Sequence, residues 1–111
     1  MIKDNAKILG IKQKALERTL KEYKSYKKEL AQKLTEHAQL LQDNHDESTI
    51  KKSAEMVKEV EETMPGVKKN VLKLSEDLEE FLELHKGQPF DEEVIAKCKT
   101  LLESVQTIDN E

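Results

Sequence analysis

Val57-Lys58-Glu59-Val60-Glu61-Glu62-Thr63-Met64-Pro65-Gly66-Val67-Lys68-Lys69-Asn70-Val71 is the stretch on which the fold turns. Proline inside a helix removes one N–H and frees the carbonyl four residues back, here that of Glu61, at about 3 kcal/mol or more. A break at Met64-Pro65-Gly66 would split this segment into two helices joined by a loop. Yet Val57, Val60, Met64, Val67 and Val71 keep their three-and-four spacing straight through the proline. An apolar series that does not change phase predicts one helix, kinked at Pro65, rather than two joined by a loop. A true break is the competing reading.

Outward from this stretch the same habit continues. Ile50 precedes it, and Leu74, Leu78, Phe81 and His85 follow it. An earlier segment carries Leu9, Leu16, Leu20, Tyr23, Leu30, Leu34 and Leu41, with polar Gln13, Lys27 and His37 in the remaining slots. A later one carries Val94, Cys98, Leu101, Val105 and Ile108. A repeat averaging 3.5 holds one helix face toward a neighbour over a long distance. The chain therefore reads as all-α, an elongated three-helix bundle with spectrin-like up-down-up order, in a single domain spanning residues 1–111. The helices are expected at about 6–42, 50–86 and 91–108. Ile8, Ile11, Ala15, Tyr26, Ala31 and Ala38 widen the first stripe, as a helix with two neighbours requires.

The connectors agree. Residues 43–49 are rich in turn-formers, and Ser48 or Thr49 suits the N-cap of the second helix. A connector so short returns the second helix antiparallel to the first. Gly87 and Pro89 close the second helix. Asp91 caps the third, with Glu92 and Glu93 in its first turn and Phe90 and Ile95 placed as a hydrophobic staple. The third helix is the shortest, so it leaves part of the long apolar seam uncovered.

Composition limits what such a chain can do. Of 111 residues, 36 % are apolar and 38 % charged, aromatics are 4 % and Trp is absent. That fills a thin seam rather than a wide core. No run approaches the length of a membrane span, and the N-terminal residues lack an apolar signal core. A single cysteine excludes an intrachain disulfide and fits a reducing, cytoplasmic setting. The net charge of −4 conceals an asymmetry: residues 1–42 hold ten Lys/Arg against five Asp/Glu, and residues 43–111 hold nine against eighteen. A basic first helix packs well against acidic ones, and it also offers a face to an acidic partner.

The motifs of catalysis are missing. Glycines at 10, 66 and 87 make no phosphate loop. His37, His45 and His85 lack paired spacing, and one cysteine makes no zinc motif, so neither metal nor cofactor is expected. Asp43, Asp46 and Glu47 lack the alternation and glycine of a calcium loop. Cys98 lies on the apolar series and reads as a small buried hydrophobe. Glu79, Glu80 and Glu83 read as solvated surface, without a pocket to shift their protonation. Near-absence of Arg and an acidic balance argue against nucleic acid, and an apolar face committed to a seam argues against membrane. No enzyme is expected.

Some residues carry a further signal. Ile11-Lys12-Gln13-Lys14, then Arg18, Lys21-Glu22, Tyr26 and Glu29, resemble the first helix of the tubulin-binding cofactor A family. Ile50-Lys51-Lys52, Glu55, Pro65, Asp77-Leu78 and Leu82 resemble its second, where a mid-helix proline is followed by a D-L pair. The resemblance spans nearly the whole chain and rests on the sum of offsets. The chain departs from the pattern at Thr19, which delays a leucine by one residue, at Thr49 and Ser53, and at Gly66-Val67. The resemblance implies a cytoplasmic, cytoskeleton-associated chaperone that captures and holds β-tubulin folding intermediates without nucleotide and passes them toward αβ-heterodimer assembly. It implies β-tubulin as partner, and other tubulin-folding cofactors beside it. Lys12, Lys14, Arg18, Lys21, Tyr26, Lys51 and Lys52 are the candidate partner-binding residues. The alternative is a structural helical-bundle adaptor without chaperone activity, a homodimer paired through its open seam.

Overall fold

A computed structural model describes residues 2–111, with side chains described from Asp4 onward. Three helices account for almost all of it: α1 (Ile2–Gln42), α2 (Glu47–Leu84) and α3 (Glu92–Asp109). Among the described residues there is no strand. Helix α2 runs unbroken with Pro65 in its interior. Both Pro65 and Glu61 are exposed, so water can reach the carbonyl that the proline leaves unpaired. The unbroken apolar phase outweighs the local penalty, as the 57–71 stretch predicts.

The turns show why the helices stop where they do. Asn44 has φ 55°, the left-handed conformation that ends a helix and that Asn adopts more readily than other side-chain-bearing residues. Its N–H donates to the carbonyl of Leu41 at 3.3 Å, and the N–H of His45 donates to that of Leu40 at 3.2 Å. This pair of backbone bonds satisfies two carbonyls that α1 would otherwise leave open. Helix α2 then begins three residues earlier than its apolar series suggests. Its cap is Asp46, not Ser48 or Thr49. The Asp46 carboxylate accepts from the Thr49 hydroxyl at 2.6 Å and from the Thr49 backbone N–H at 3.4 Å. These bonds hold its carboxyl below the usual aspartate range. Ser48 and Thr49 thus lie inside the first turn, and Thr49 supports the cap rather than providing it. At the other end Gly87 takes φ 93°, where only glycine is unstrained. Asp91 caps α3 by accepting from the Glu93 N–H at 2.8 Å.

The chain packs as two units. The first joins residues 2–21 of α1 to residues 68–111, and so holds the end of α2 and the whole of α3. Leu9, Leu16, Leu20, Val71, Leu78, Cys98, Val105 and Ile108 are its buried apolar side chains. Its α1 and α2 segments are antiparallel. Moving forward on α1 from Asn5 to Lys12 moves the partner back from His85, just past the end of α2, to Asp77 within it. Asn5 donates to Gln88 Oε1 at 3.1 Å, and both amides lie within hydrogen-bonding distance of His85 Nδ1. The His85 ring sits 4.4 Å from that of Phe81, which lies 6.3 Å from Phe90. Burial pushes the Cys98 thiol up from its ordinary value, in keeping with a cysteine that serves as a small hydrophobe.

The second unit, residues 22–67, is a helical hairpin made from the rest of α1 and the start of α2. Tyr23, Val57, Val60 and Val67 are buried in it. From Lys24 to Met56 no side chain is fully buried. The two strips are bridged there by His37 Nδ1 and Ser53 Oγ at 3.1 Å. Leu34 and Leu41 stand about half exposed, and Met56 is 40 % exposed.

Candidate partner-binding surface

Residues Gln13, Lys14, Glu17, Arg18 and Lys21 of α1 recur at three and four residues, so they lie along one side of the helix beside its buried row Leu9, Leu16, Leu20. In the first unit α3 runs past this side and contributes Lys97. Together these six residues line an open groove of about 380 Å³. A second hollow of similar volume adjoins it, sharing Glu17 and Lys97 and adding Ala96, Thr100 and Leu101. One side of the first unit therefore carries a cationic stretch that passes into an apolar one.

Internal hydrogen bonds settle which charges are already engaged. Glu17 is central: Gln13 Nε2 donates to its Oε2 at 2.6 Å, and Lys21 Nζ lies 3.6 Å from its Oε1. This satisfies the buried amide of Gln13, a polar residue in the apolar series. Lys14, Arg18 and Lys97 have no ion-pair partner among the described residues. Three cations are thus left to water on one face. Surface charges of this kind add little to stability.

The seven candidate residues do not form one cluster. Lys14, Arg18 and Lys21 share the groove. Lys12 is turned elsewhere. Its ammonium pairs with Asp77 of α2 and lies 5.7 Å from the Phe81 ring centroid, so it helps to fasten α1 to α2. Tyr26, Lys51 and Lys52 belong to the second unit. Tyr26 is half-buried, and Lys51 and Lys52 are exposed on the second turn of α2. Lys97 and Ala96 escape the sequence reading, and Leu101 enters it only as a member of the apolar series. A signal for them exists in the exposed neighbours of the buried Cys98, but nothing in the sequence alone says that this edge of α3 meets the basic side of α1.

Among the described residues no group of three or more His, Cys, Asp or Glu side chains is placed to hold a metal ion. None of their helices is long and apolar enough to cross a membrane. The arrangement is all-helical, with its charged and apolar hollows on open surface. The sequence model for tubulin binding cofactor A matches residues 4–102. The chain belongs to the tubulin-binding cofactor A family, a family of tubulin chaperones. A relative, tubulin-specific chaperone A of Saccharomyces cerevisiae, is 30 % identical over 101 residues, covering 90 % of this chain and 92 % of its own. The crystal structure of recombinant tubulin-binding cofactor A from Leishmania major superimposes with a TM-score of 0.77 at 25 % identity, covering 93 % of this chain and 94 % of that one.

Proposed function

We propose that this protein is a tubulin-folding chaperone of the cytosol that captures β-tubulin folding intermediates, holds them without nucleotide and hands them on toward the αβ heterodimer. Membership of the family supports tubulin as the client. The observation that carries the mode of binding is the set of cations Lys14, Arg18 and Lys97, which no carboxylate of the described chain neutralises. A basic face speeds encounter with an acidic client and sets its orientation, while leaving affinity modest enough for release. Holding and passing on require no bond change, so the work rests on surface complementarity rather than on a catalytic group.

Reversing charge at Lys14, Arg18 and Lys21 together tests this. β-Tubulin recovered in a pull-down should fall roughly tenfold, the equivalent of about 1.4 kcal/mol, with helicity by circular dichroism unchanged. Undiminished capture would refute the basic-face mechanism. The second reading, a self-associating structural adaptor, draws on the exposed Leu34, Leu41 and Met56 of the hairpin. Sedimentation of the protein alone and with tubulin separates the two.

A further inference from the structure

Resting on the tubulin-chaperone reading, we infer that the groove between α1 and α3 is a two-part receptor for a short acidic segment of the client, one that carries a leucine-sized apolar side chain next to its carboxylates. Its cationic half presents Lys14, Arg18, Lys21 and Lys97 around one opening. Its apolar half, reached past Glu17 and Lys97, is walled by Ala96, Thr100 and Leu101. Leu101 is only half-buried by its own fold, so it keeps apolar surface to offer. Each half, about 380 Å³, has room for a few side chains but not for a folded domain.

Charge and polarity choose among acidic ligands. Glu17 lies on the border of both halves, held by Gln13 and Lys21. It repels a uniformly charged polyanion laid along the groove, such as a nucleic-acid backbone. A peptide can set carboxylates on the free cations and place an uncharged residue opposite Glu17. The apolar half then adds burial that a simple anion cannot use. Lys97 is the joint of the site, because it lines both halves. Glu17 acts as a selectivity element, weakening every anion that lacks an apolar residue in register with it.

The test uses the full chain and a fluorescein-labelled peptide of alternating glutamate pairs and leucines, about ten residues long. Three variants are compared by fluorescence anisotropy. Lys97→Glu is expected to weaken peptide binding about tenfold and Leu101→Ser about threefold, and Glu17→Gln to tighten oligouridylate binding about threefold while leaving the parent peptide nearly unchanged. Raising salt from low to physiological ionic strength should weaken wild-type binding severalfold. A serine-for-leucine peptide and an oligouridylate of similar length should bind more weakly than the parent. Peptide affinity unmoved by both Lys97→Glu and Leu101→Ser overturns the groove, as does oligouridylate binding as tightly as the peptide. So does concentration-dependent self-association that Lys97→Glu abolishes while leaving peptide binding intact. β-Tubulin pull-down with the same proteins keeps the two readings apart. Peptide binding that follows the variants without any tubulin capture by wild type refutes the chaperone reading and leaves the groove as a peptide site. Tubulin capture that ignores Lys97→Glu refutes the groove as the client's site and leaves the chaperone reading standing.

Discussion

The two units use the same pattern of residues and reach different degrees of burial. In the first, Leu9, Leu16 and Leu78 are nearly or wholly excluded from solvent because three helix segments surround them. In the hairpin unit, Leu34 and Leu41 occupy equivalent slots of the α1 series yet remain about half exposed. Two helix segments can cover only one side of such a stripe. A leucine's place in a periodic series therefore does not set its energetic weight; the number of neighbouring helices does.

Truncation gives the sharpest way to break this contrast. Leu16→Ala in the first unit should cost about 2–5 kcal/mol, the usual range for a fully buried leucine. Leu34→Ala in the hairpin should cost about 0.5 kcal/mol or less, as for surface positions. Urea unfolding of both variants checks the pair, and equal losses would mean that the hairpin's leucines are covered in solution. A smaller effect comes from Pro65. It lies on the exposed side of the hairpin unit, so Pro65→Ala should restore a backbone bond without disturbing packing. Helix propensity favours the change and the greater freedom of the unfolded chain opposes it. A net gain of about 1–2 kcal/mol should appear as a higher Tm. A lower Tm would show that α2 needs the proline where it is.

The smallest effect is confined to the first unit and to alkaline pH. The buried Cys98 thiol has its pKa raised, so the folded chain keeps this proton after the unfolded chain, titrating near about 8.5, has lost it. Its contribution is complete below that value and declines as pH rises past it. The urea midpoint should therefore drop between about pH 8 and pH 9.5 in the wild-type protein. Cys98→Ala should be less stable throughout but show a shallower decline. Identical slopes would place the thiol in contact with water.

Much of this architecture could be read from residue spacing. The order of three helices, the passage of α2 through Pro65 and the cap at Asp91 all depend on local signals. The start of α2 was harder, because Asp46, Ser48 and Thr49 are all good caps, and only the geometry shows which carboxylate the Thr49 groups reach. The site was legible by half. The basic run of α1 is visible in sequence, and a solvated lysine looks the same there as one aimed into a groove. Lys12 and Lys14 differ by two positions, yet one is fastened to Asp77 and the other is free. The contribution of Lys97 and Leu101 depends on a contact between segments some eighty residues apart, which no local pattern encodes.

That separation has a further consequence during synthesis. The hairpin closes through a local reversal, with Asn44 at its turn and His37 and Ser53 only 16 positions apart. The first unit links Asn5 to His85 across 80 positions and draws on residues 68–111. Closing the longer loop costs more chain entropy and must await those residues. While the ribosome is still translating them, the opening turns of α1 have no companions to bury Leu9 and Leu16. The part of the finished protein with the driest interior is the part whose nascent leucines stay wet the longest.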